Sequence, residues 1–280
     1  MPATPETPAV PPRTHPRIRP LGRTRGRTRP GLHLLTLAAV TALTLGTVTG
    51  CGGAAGARDR TSPPPATTAA KNAPAAAPTP AAETLPRQLP GLGARTLADV
   101  PGNAGQVVVV TGADKNSPRS EAVLYERSPA GWRAGGTWAA HNALRGWTDN
   151  HHAGDLRSPI GVFGLTDAGG RRGDPGTKLP YDRSGAFTIG GTGFEGEPLA
   201  GSFDYVVAIN YNRRPGLTPL DWTRPLGDSK GGGIWFHVDH GGPTHGCVSL
   251  SEAHMKDLLR TLDPALHPVV VMGDATSLAR

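Results

Sequence analysis

Short apolar runs rich in β-branched residues recur along the chain after residue 105. Glycine, proline and aspartate separate these runs, which is the pattern of strands joined by tight turns. The strand candidates are 106–111, 122–126, 205–210, 234–237 and 269–272. The pattern therefore predicts a mainly β fold.

One helix is signalled near the C-terminus. The segment 249–252, Ser-Leu-Ser-Glu, has the spacing of a capping box, and Pro264 marks the end of the helix. Between these signals, apolar residues fall at helical intervals, namely Met255, Leu258, Leu259 and Leu262. The pattern predicts a short helix with Ser249 as its N-cap.

Residues 1–50 have the pattern of an export leader. A long arginine-rich stretch precedes an apolar run at 32–48, which is short and threonine-rich for a membrane-spanning helix. Small residues before Cys51 resemble the bacterial lipobox, in which the cysteine is acylated. This resemblance implies a lipoprotein signal peptide over 1–50 and a protein held by a lipid at Cys51 to the outer face of the cell membrane, facing the cell wall. An ordinary secretory signal that contains a cysteine is the alternative.

Residues 51–96 are rich in alanine, proline and threonine. A segment of this composition buries too little apolar surface to offset the entropy lost on ordering. We therefore expect a disordered tether over 51–96. The remaining residues, 97–280, are enough for one hydrophobic core and are predicted to form a single folded domain.

The net charge of +7 does not indicate a nucleic-acid partner. It comes from 29 basic and 22 acidic residues. Seven of the arginines and one acid, Glu6, precede Cys51, which leaves 22 basic and 21 acidic residues from Cys51 onward. Removal of the leader would remove the excess of positive charge, so no nucleic-acid binding is expected.

Candidate chemistry is concentrated around Cys247, the only cysteine after Cys51. Cys247 lies two residues from His245 and ten from His237, and glycines surround it. A thiol becomes a strong nucleophile when an imidazole takes its proton, and glycines allow backbone N–H groups to approach a substrate oxygen. This arrangement predicts a catalytic cysteine, with a buried cysteine beside two loop histidines as the alternative. With Cys51 acylated, Cys247 is a lone thiol without a partner for a structural disulfide.

Two segments resemble one known family, the L,D-transpeptidases of the YkuD type. The first is 244–248, Thr-His-Gly-Cys-Val, preceded by a strand that ends in His237, and the second is 158–163, Ser-Pro-Ile-Gly-Val-Phe. The resemblance covers about 106–272. It departs from the family pattern in a shorter spacing after His237 and in Ser249, which stands where Asn or Arg is usual.

The resemblance implies a single mainly β catalytic domain over 97–280, with a short helix after the catalytic cysteine and no cofactor or metal. The implied substrate is the peptidoglycan stem peptide. The enzyme would attack the carbonyl of the third stem residue, release D-alanine and form a 3→3 cross-link, or act as a carboxypeptidase if water is the acceptor. The implied roles are nucleophile for Cys247, general base for His237, oxyanion site for His245 and Gly246 with the Cys247 N–H, and substrate contacts for Thr244 and Ser249.

Two other functions fit the same residues. A zinc metallopeptidase would use His237, Asp239, His240 and His245 as ligands, but it leaves Cys247 without a role. A non-catalytic wall-binding lipoprotein would retain the fold without turnover. Adjacent His151 and His152 lie in a polar segment, where histidines are usually solvated. The acceptor, the diamino acid of the stem, the oligomeric state and the physiological role stay open.

Overall fold

Eleven β-strands and three short α-helices make up residues 84–280, the part of the chain that the computed structural model describes. The strands are β1 Gln106–Gly112, β2 Arg119–Ser128, β3 Gly131–His141, β4 Trp147–Thr148, β5 Ser158–Pro159, β6 Gly161–Gly170, β7 Tyr181–Arg183, β8 Val206–Ile209, β9 Trp235–Val238, β10 Val248–Leu250 and β11 Val269–Asp274. The helices are α1 Ala94–Asp99, α2 Glu252–Thr261 and α3 Ala275–Leu278, with 3₁₀ turns at Asp228–Lys230 and Pro264–Leu266. The mainly β prediction is confirmed, and the five predicted strands correspond to β1, β2, β8, β9 and β11.

Eight of the strands close into a barrel. Their order is β11-β1-β2-β3-β10-β9-β8-β6, and β6 pairs back onto β11 through 161–164. Most neighbours are antiparallel, whereas β1 with β11 and β9 with β10 are parallel. β7 pairs with the far end of β6, and β4 and β5 form a separate two-stranded ladder. Closure pairs strand edges that would otherwise be exposed.

The strand β1 shows why continuous apolar runs occur in this barrel. Side chains alternate between the two faces of a strand. Val108 and Val110 belong to the main core inside the barrel, whereas Val107 and Val109 belong to a second apolar cluster that includes Leu278. Because both faces of β1 are covered, every valine of the run is buried.

Strands β3 and β6 were not predicted from the apolar pattern. Both are rich in glycine and alanine, which are poor strand formers. In β6 the glycines are required by close packing, since a Cβ at Gly164 would lie 2.8 Å from Nδ2 of Asn210 and one at Gly169 would lie 2.6 Å from the carbonyl oxygen of Asp182. Tertiary contacts therefore decide these strands.

The helix α2 lies where the sequence predicts it, but its N-cap is Ser251 and not Ser249. The Ser251 hydroxyl accepts the N–H of His254 at 3.2 Å. Ser249 is the middle residue of β10, where it pairs with His237 on one side and His141 on the other. The chain is therefore still extended at Ser249, and the helix begins after the strand ends.

The residues just before α1 contact the barrel. Leu89 is 3% exposed, and the N–H of Trp132 donates to the carbonyl of Pro86 at 2.8 Å. The predicted tether extends to residue 96, so its last residues contact the domain. The predicted leader, Cys51 and the tether up to residue 83 lie outside the described residues. None of the helices in residues 84–280 is long and apolar enough to cross a membrane.

Candidate active site

The parallel pair β9–β10 brings the predicted nucleophile and base to one place. His237 is the third residue of β9, and Cys247 immediately precedes β10. The ladder pairs Val248 with Phe236, so Cys247 comes level with Trp235, whose N–H donates to Sγ at 3.4 Å. Cys247 and His237 line the same small cavity.

The ring of His237 is fixed on several sides. It is 3% exposed, and its Nδ1 lies 2.9 Å from the carbonyl oxygen of Val238. Because a carbonyl only accepts, Nδ1 carries the proton and Nε2 is left as the basic nitrogen. Phe203 packs edge-on against the ring at 5.6 Å, and His240 stacks on it at 5.8 Å with planes 10° apart. The side chain therefore has the single orientation that a general base requires.

Burial keeps both partners neutral in the resting site. It lowers the pKa of His237 to about 4 and raises the pKa of the Cys247 thiol to about 11. Within the described residues no hydrogen bond joins the two side chains, and the thiol instead donates to the Gly233 carbonyl at 3.5 Å. The helix α2 does not favour a thiolate at Cys247, because β10 separates the two and burial has the larger effect on the pKa of the thiol.

Two hydroxyls hold the loop that carries Cys247. Thr244 Oγ1 donates to the carbonyl of Cys247 at 2.7 Å, and Ser158 Oγ donates to the carbonyl of Gly246 at 2.9 Å. The two segments that resemble the family thus meet at Ser158 and Gly246. In a trans peptide the C=O and N–H point in opposite directions, so the N–H of Cys247 is directed away from Ser158.

The backbone at Gly246 packs closely against the side chain of Ile234. A Cβ there would lie 2.9 Å from Cδ1 of Ile234, which is closer than such atoms approach. The small residue lets the loop pack directly against the residue that precedes β9. The predicted oxyanion residue Gly246 therefore has a packing reason to be glycine in addition to its predicted chemistry.

The other predicted site residues differ in their exposure and in the groups that they contact. His245 is exposed, with its ring 4.7 Å from that of Phe194. Thr244 is 3% exposed and lines the same cavity as Cys247. Ser249 is fully buried, and its hydroxyl donates to Asp239 at 2.7 Å. This geometry corrects the predicted substrate contact at Ser249, because a buried hydroxyl bound to a carboxylate does not reach substrate.

Two cavities meet at Cys247. The first, which we call the His237 cavity, measures about 110 Å³ and is lined by apolar side chains with His237, His245 and Cys247. The second, which we call the Trp222 cavity, measures about 500 Å³ and is lined by Trp222, Arg224, Gly231 to Gly233, His151, His245, Gly246 and Cys247 among others. Cys247 is therefore accessible from two cavities.

Three of the four residues of the zinc alternative, His237, Asp239 and His240, have hydrogen-bond partners of their own. Asp239 bonds to Nδ1 of His141 at 2.9 Å and to Ser249, and these bonds outweigh burial to lower its pKa to about 2. His240 Nδ1 lies 3.0 Å from Glu197 Oε1, in a pair whose side chains are 6% and 12% exposed. Across residues 84–280, no three His, Cys, Asp or Glu side chains converge as a ligand set. The candidate ligands do not face a common point, so this geometry does not favour the metallopeptidase.

Sequence analysis missed several residues that the fold brings to the site. Glu197 and His240 buttress His237, and Ser158 belongs to a recognised segment but had no assigned role. His151, which the sequence suggested to be solvated, is 6% exposed and lines the Trp222 cavity. The local sequence assigns none of them its role at this site, because each acts through residues far away in the chain.

Comparison with known proteins gives one family match. The family model described as the L,D-transpeptidase catalytic domain, YkuD, matches residues 109–271. Among solved structures, the helical cell shape determining protein Pgp2 from Campylobacter jejuni is 17% identical, with 60% of this chain and 48% of that chain covered and a TM-score of 0.35. Bd1075 from Bdellovibrio bacteriovorus is 15% identical, with 69% and 54% covered and a TM-score of 0.35. The chain spans about half the length of these two proteins. No curated protein matches the sequence.

Proposed function

Because the chain belongs to the YkuD family of L,D-transpeptidase catalytic domains, we propose that it is a cysteine acyltransferase that forms 3→3 cross-links between peptidoglycan stem peptides. The observation that carries the proposal is the pairing of Cys247 with the buried, oriented His237 in one cavity. The Thr-His-Gly-Cys segment and the Ser158–Gly246 contact support the same assignment.

In the first half-reaction, Cys247 Sγ attacks the carbonyl carbon of the third stem residue. The thiol proton passes to Nε2 of His237, which then gives it to the leaving amine of D-alanine. A thioester joins the stem to Cys247. Because both groups are neutral at rest, proton transfer accompanies attack instead of preceding it.

The charge that develops on the carbonyl oxygen requires nearby donors. The N–H of Cys247 is directed away from Ser158, and together with the backbone around His245 and Gly246 it forms the proposed oxyanion site. Donors that are fixed before reaction stabilise the transition state without reorganisation. Ser158 and Thr244 supply this fixation by holding the two carbonyls of the loop.

In the second half-reaction, an amine of a neighbouring stem takes the acyl group from Cys247. The presence of a second cavity of about 500 Å³ at the nucleophile favours a bulky amine acceptor over water. Hydrolysis, which would make the protein an L,D-carboxypeptidase, is the second candidate because it needs no feature beyond the first half-reaction.

A direct test uses the full chain and a tetrapeptide stem. We expect release of D-alanine and an acyl adduct on Cys247, detected by intact-mass spectrometry, and a 3→3 product when an acceptor stem is added. Cys247→Ala should abolish all three, because the nucleophile is gone, while EDTA should leave them unchanged.

Two results would contradict this proposal. Loss of activity with EDTA and its return with zinc would favour the metallopeptidase. A folded wild-type protein that binds peptidoglycan but neither releases D-alanine nor forms an adduct would favour a non-catalytic wall-binding protein.

The proposed location is the outer face of the cell membrane, with the protein anchored by a lipid at Cys51. The basic and apolar pattern of residues 1–50 and the Gly50-Cys51 junction support it. We expect the wild type to partition into the membrane fraction of a bacterial host and Cys51→Ser to lose this partitioning. Equal partitioning of both proteins would contradict lipid attachment.

A further inference from the structure

We propose that His151 is a second general base, which takes a proton from the acceptor amine as that amine attacks the thioester on Cys247. This inference rests on the proposed function and concerns its second half-reaction. His151 and Cys247 line the Trp222 cavity together, whereas the His237 cavity contains the base of the first half-reaction.

His151 lies against the loop that carries the nucleophile. Its side chain is nearly buried, at 6% exposed for the residue. A Cβ built on Gly246 would lie 3.7 Å from Cε1 of His151, and one built on Gly231 would lie 2.9 Å from its Nε2. The ring therefore packs between two glycines, one of which adjoins Cys247.

Asp155 orients the ring of His151. Its Oδ1 lies 3.0 Å from Nδ1 of His151, and its carboxylate also accepts the N–H groups of His152 at 2.8 Å and Arg157 at 2.9 Å. Tyr211 packs edge-on against the imidazole at 5.2 Å. The contact between Nδ1 and Asp155 is at ion-pair distance but is not aligned as a hydrogen bond. Because a carboxylate attracts an N–H, it still favours the proton on Nδ1 and leaves Nε2, which makes no hydrogen bond within the described residues, as the basic nitrogen. Burial lowers the pKa of His151, which keeps the imidazole neutral near pH 7 despite the opposing effect of Asp155.

The charges around this cavity fit an amine that belongs to an amino acid. Asp228 supplies a carboxylate that attracts an ammonium group, and Arg224 supplies a guanidinium that suits a carboxylate. Trp222 is 74% exposed and lies under the Arg224 guanidinium at 4.9 Å. The occupant that fits is the side-chain amine of the stem diamino acid, with its own carboxylate nearby.

The chemical step balances without a further reactant. The bound ammonium group first loses one proton to water. The neutral amine nitrogen then bonds to the thioester carbonyl carbon while one of its remaining protons passes to Nε2 of His151. The carbon–sulfur bond then breaks, and the products are an amide, the Cys247 thiolate and the His151 imidazolium. Transfer of that proton through water returns the thiol and the neutral imidazole.

The experiment separates the two half-reactions in the full chain. His151→Asn keeps a donor toward Asp155 but lacks a nitrogen at the Nε2 position. Its rate of adduct formation with the tetrapeptide stem should stay within about twofold of wild type, whereas transfer to an acceptor stem should fall by roughly 10²–10⁴. Hydroxylamine, a nucleophile that reacts without a base, should cleave the acyl adducts of the wild type and of His151→Asn at similar rates. Asp155→Asn should likewise keep the rate of adduct formation and slow the transfer to an acceptor stem, by a smaller factor than His151→Asn.

The matched control is His152→Asn, since His152 is the neighbouring histidine but is exposed and does not belong to the Trp222 cavity. It should leave both half-reactions unchanged. Transfer by His151→Asn at the wild-type rate, or an equal loss in both half-reactions, would overturn the proposal. If the Asn variant does not fold, His151→Gln replaces it, because its amide reaches the Nε2 position but carries no basic nitrogen. Absence of adduct in the wild type would overturn the proposed function itself, and this inference with it.

Discussion

At the residue scale, burial of His237 determines how the nucleophile is activated. An exposed imidazole has a pKa near 6.5 and an exposed thiol near 8.5, and the site moves both in the directions that favour the neutral forms. In the proposed mechanism, the resting site therefore holds a neutral thiol, and reaction begins when a substrate carbonyl is placed for attack. Such a site protects its cysteine from ordinary electrophiles.

This neutral pair predicts the pH dependence of acylation. The base acts in its neutral form, so the rate should fall in acid only as pH approaches about 4, the pKa of His237, and should be level near neutral pH. His237→Ala should lower the acylation rate by roughly 10²–10⁴, and His245→Ala should cost less because its side chain is exposed. The measurement is the rate of adduct formation as a function of pH for the wild type, His237→Ala and His245→Ala. A greater loss in His245→Ala than in His237→Ala would reverse the two roles, and a half-point near pH 6.5 would contradict the lowered pKa of His237.

At the element scale, the loop between β7 and β8 contacts the loop between β9 and β10. Glu197 bonds His240 in a nearly buried pair, and His240 stacks on His237. A Cβ at Gly193 or Gly242 would lie within 2.3 Å of Glu197 Oε1, so both backbones close tightly around the carboxylate. The site therefore depends on a contact between two loops that are 43 residues apart.

Removal of this contact should affect the base. In Glu197→Ala, His240 loses the partner that fixes its ring, so His237 loses part of its orientation, and the acylation rate should fall about tenfold or more. Glu195→Ala is the matched control, because it removes an exposed carboxylate from the same loop. Adduct formation and thermal unfolding are measured for both variants. A drop in stability with an unchanged acylation rate would show that the contact only holds the loop.

At the scale of the whole molecule, α2 belongs to the barrel core. Met255, Leu258 and Leu259 are fully buried and pack in the main apolar cluster with Phe236 of β9 and Leu250 of β10. The helix thus packs behind the same two strands that present His237 and Cys247. The same contacts therefore stabilise this end of the barrel and position His237 and Cys247.

Leu258→Ala tests this arrangement. It should lower the free energy of unfolding by about 2–5 kcal/mol, because it removes buried methyl groups and leaves a cavity. Asp257→Ala, on the exposed side of the same helix, should change stability by no more than about 0.5 kcal/mol. Urea unfolding curves compare the two. A loss below about 1 kcal/mol for Leu258→Ala would mean that α2 contributes little to the core.

The sequence by itself determined the features that depend on local pattern. Five strands follow from β-branched runs, and α2 follows from apolar residues at helical spacing. Cys247 and His237 were identified because one short segment carries both and because the thiol has no second cysteine with which to pair. These inferences needed only neighbours in the chain.

Only the tertiary structure decided which residues from distant parts of the chain lie at the site. Ser158 contacts Gly246 across 88 residues, and Glu197 reaches His240 across 43, because barrel closure places their strands and loops together. His151 is polar and unremarkable in sequence, yet it is buried beside Cys247. The pKa directions of His237 and Cys247 also came from the structure, because desolvation depends on the atoms that surround a group in space, which local sequence does not specify.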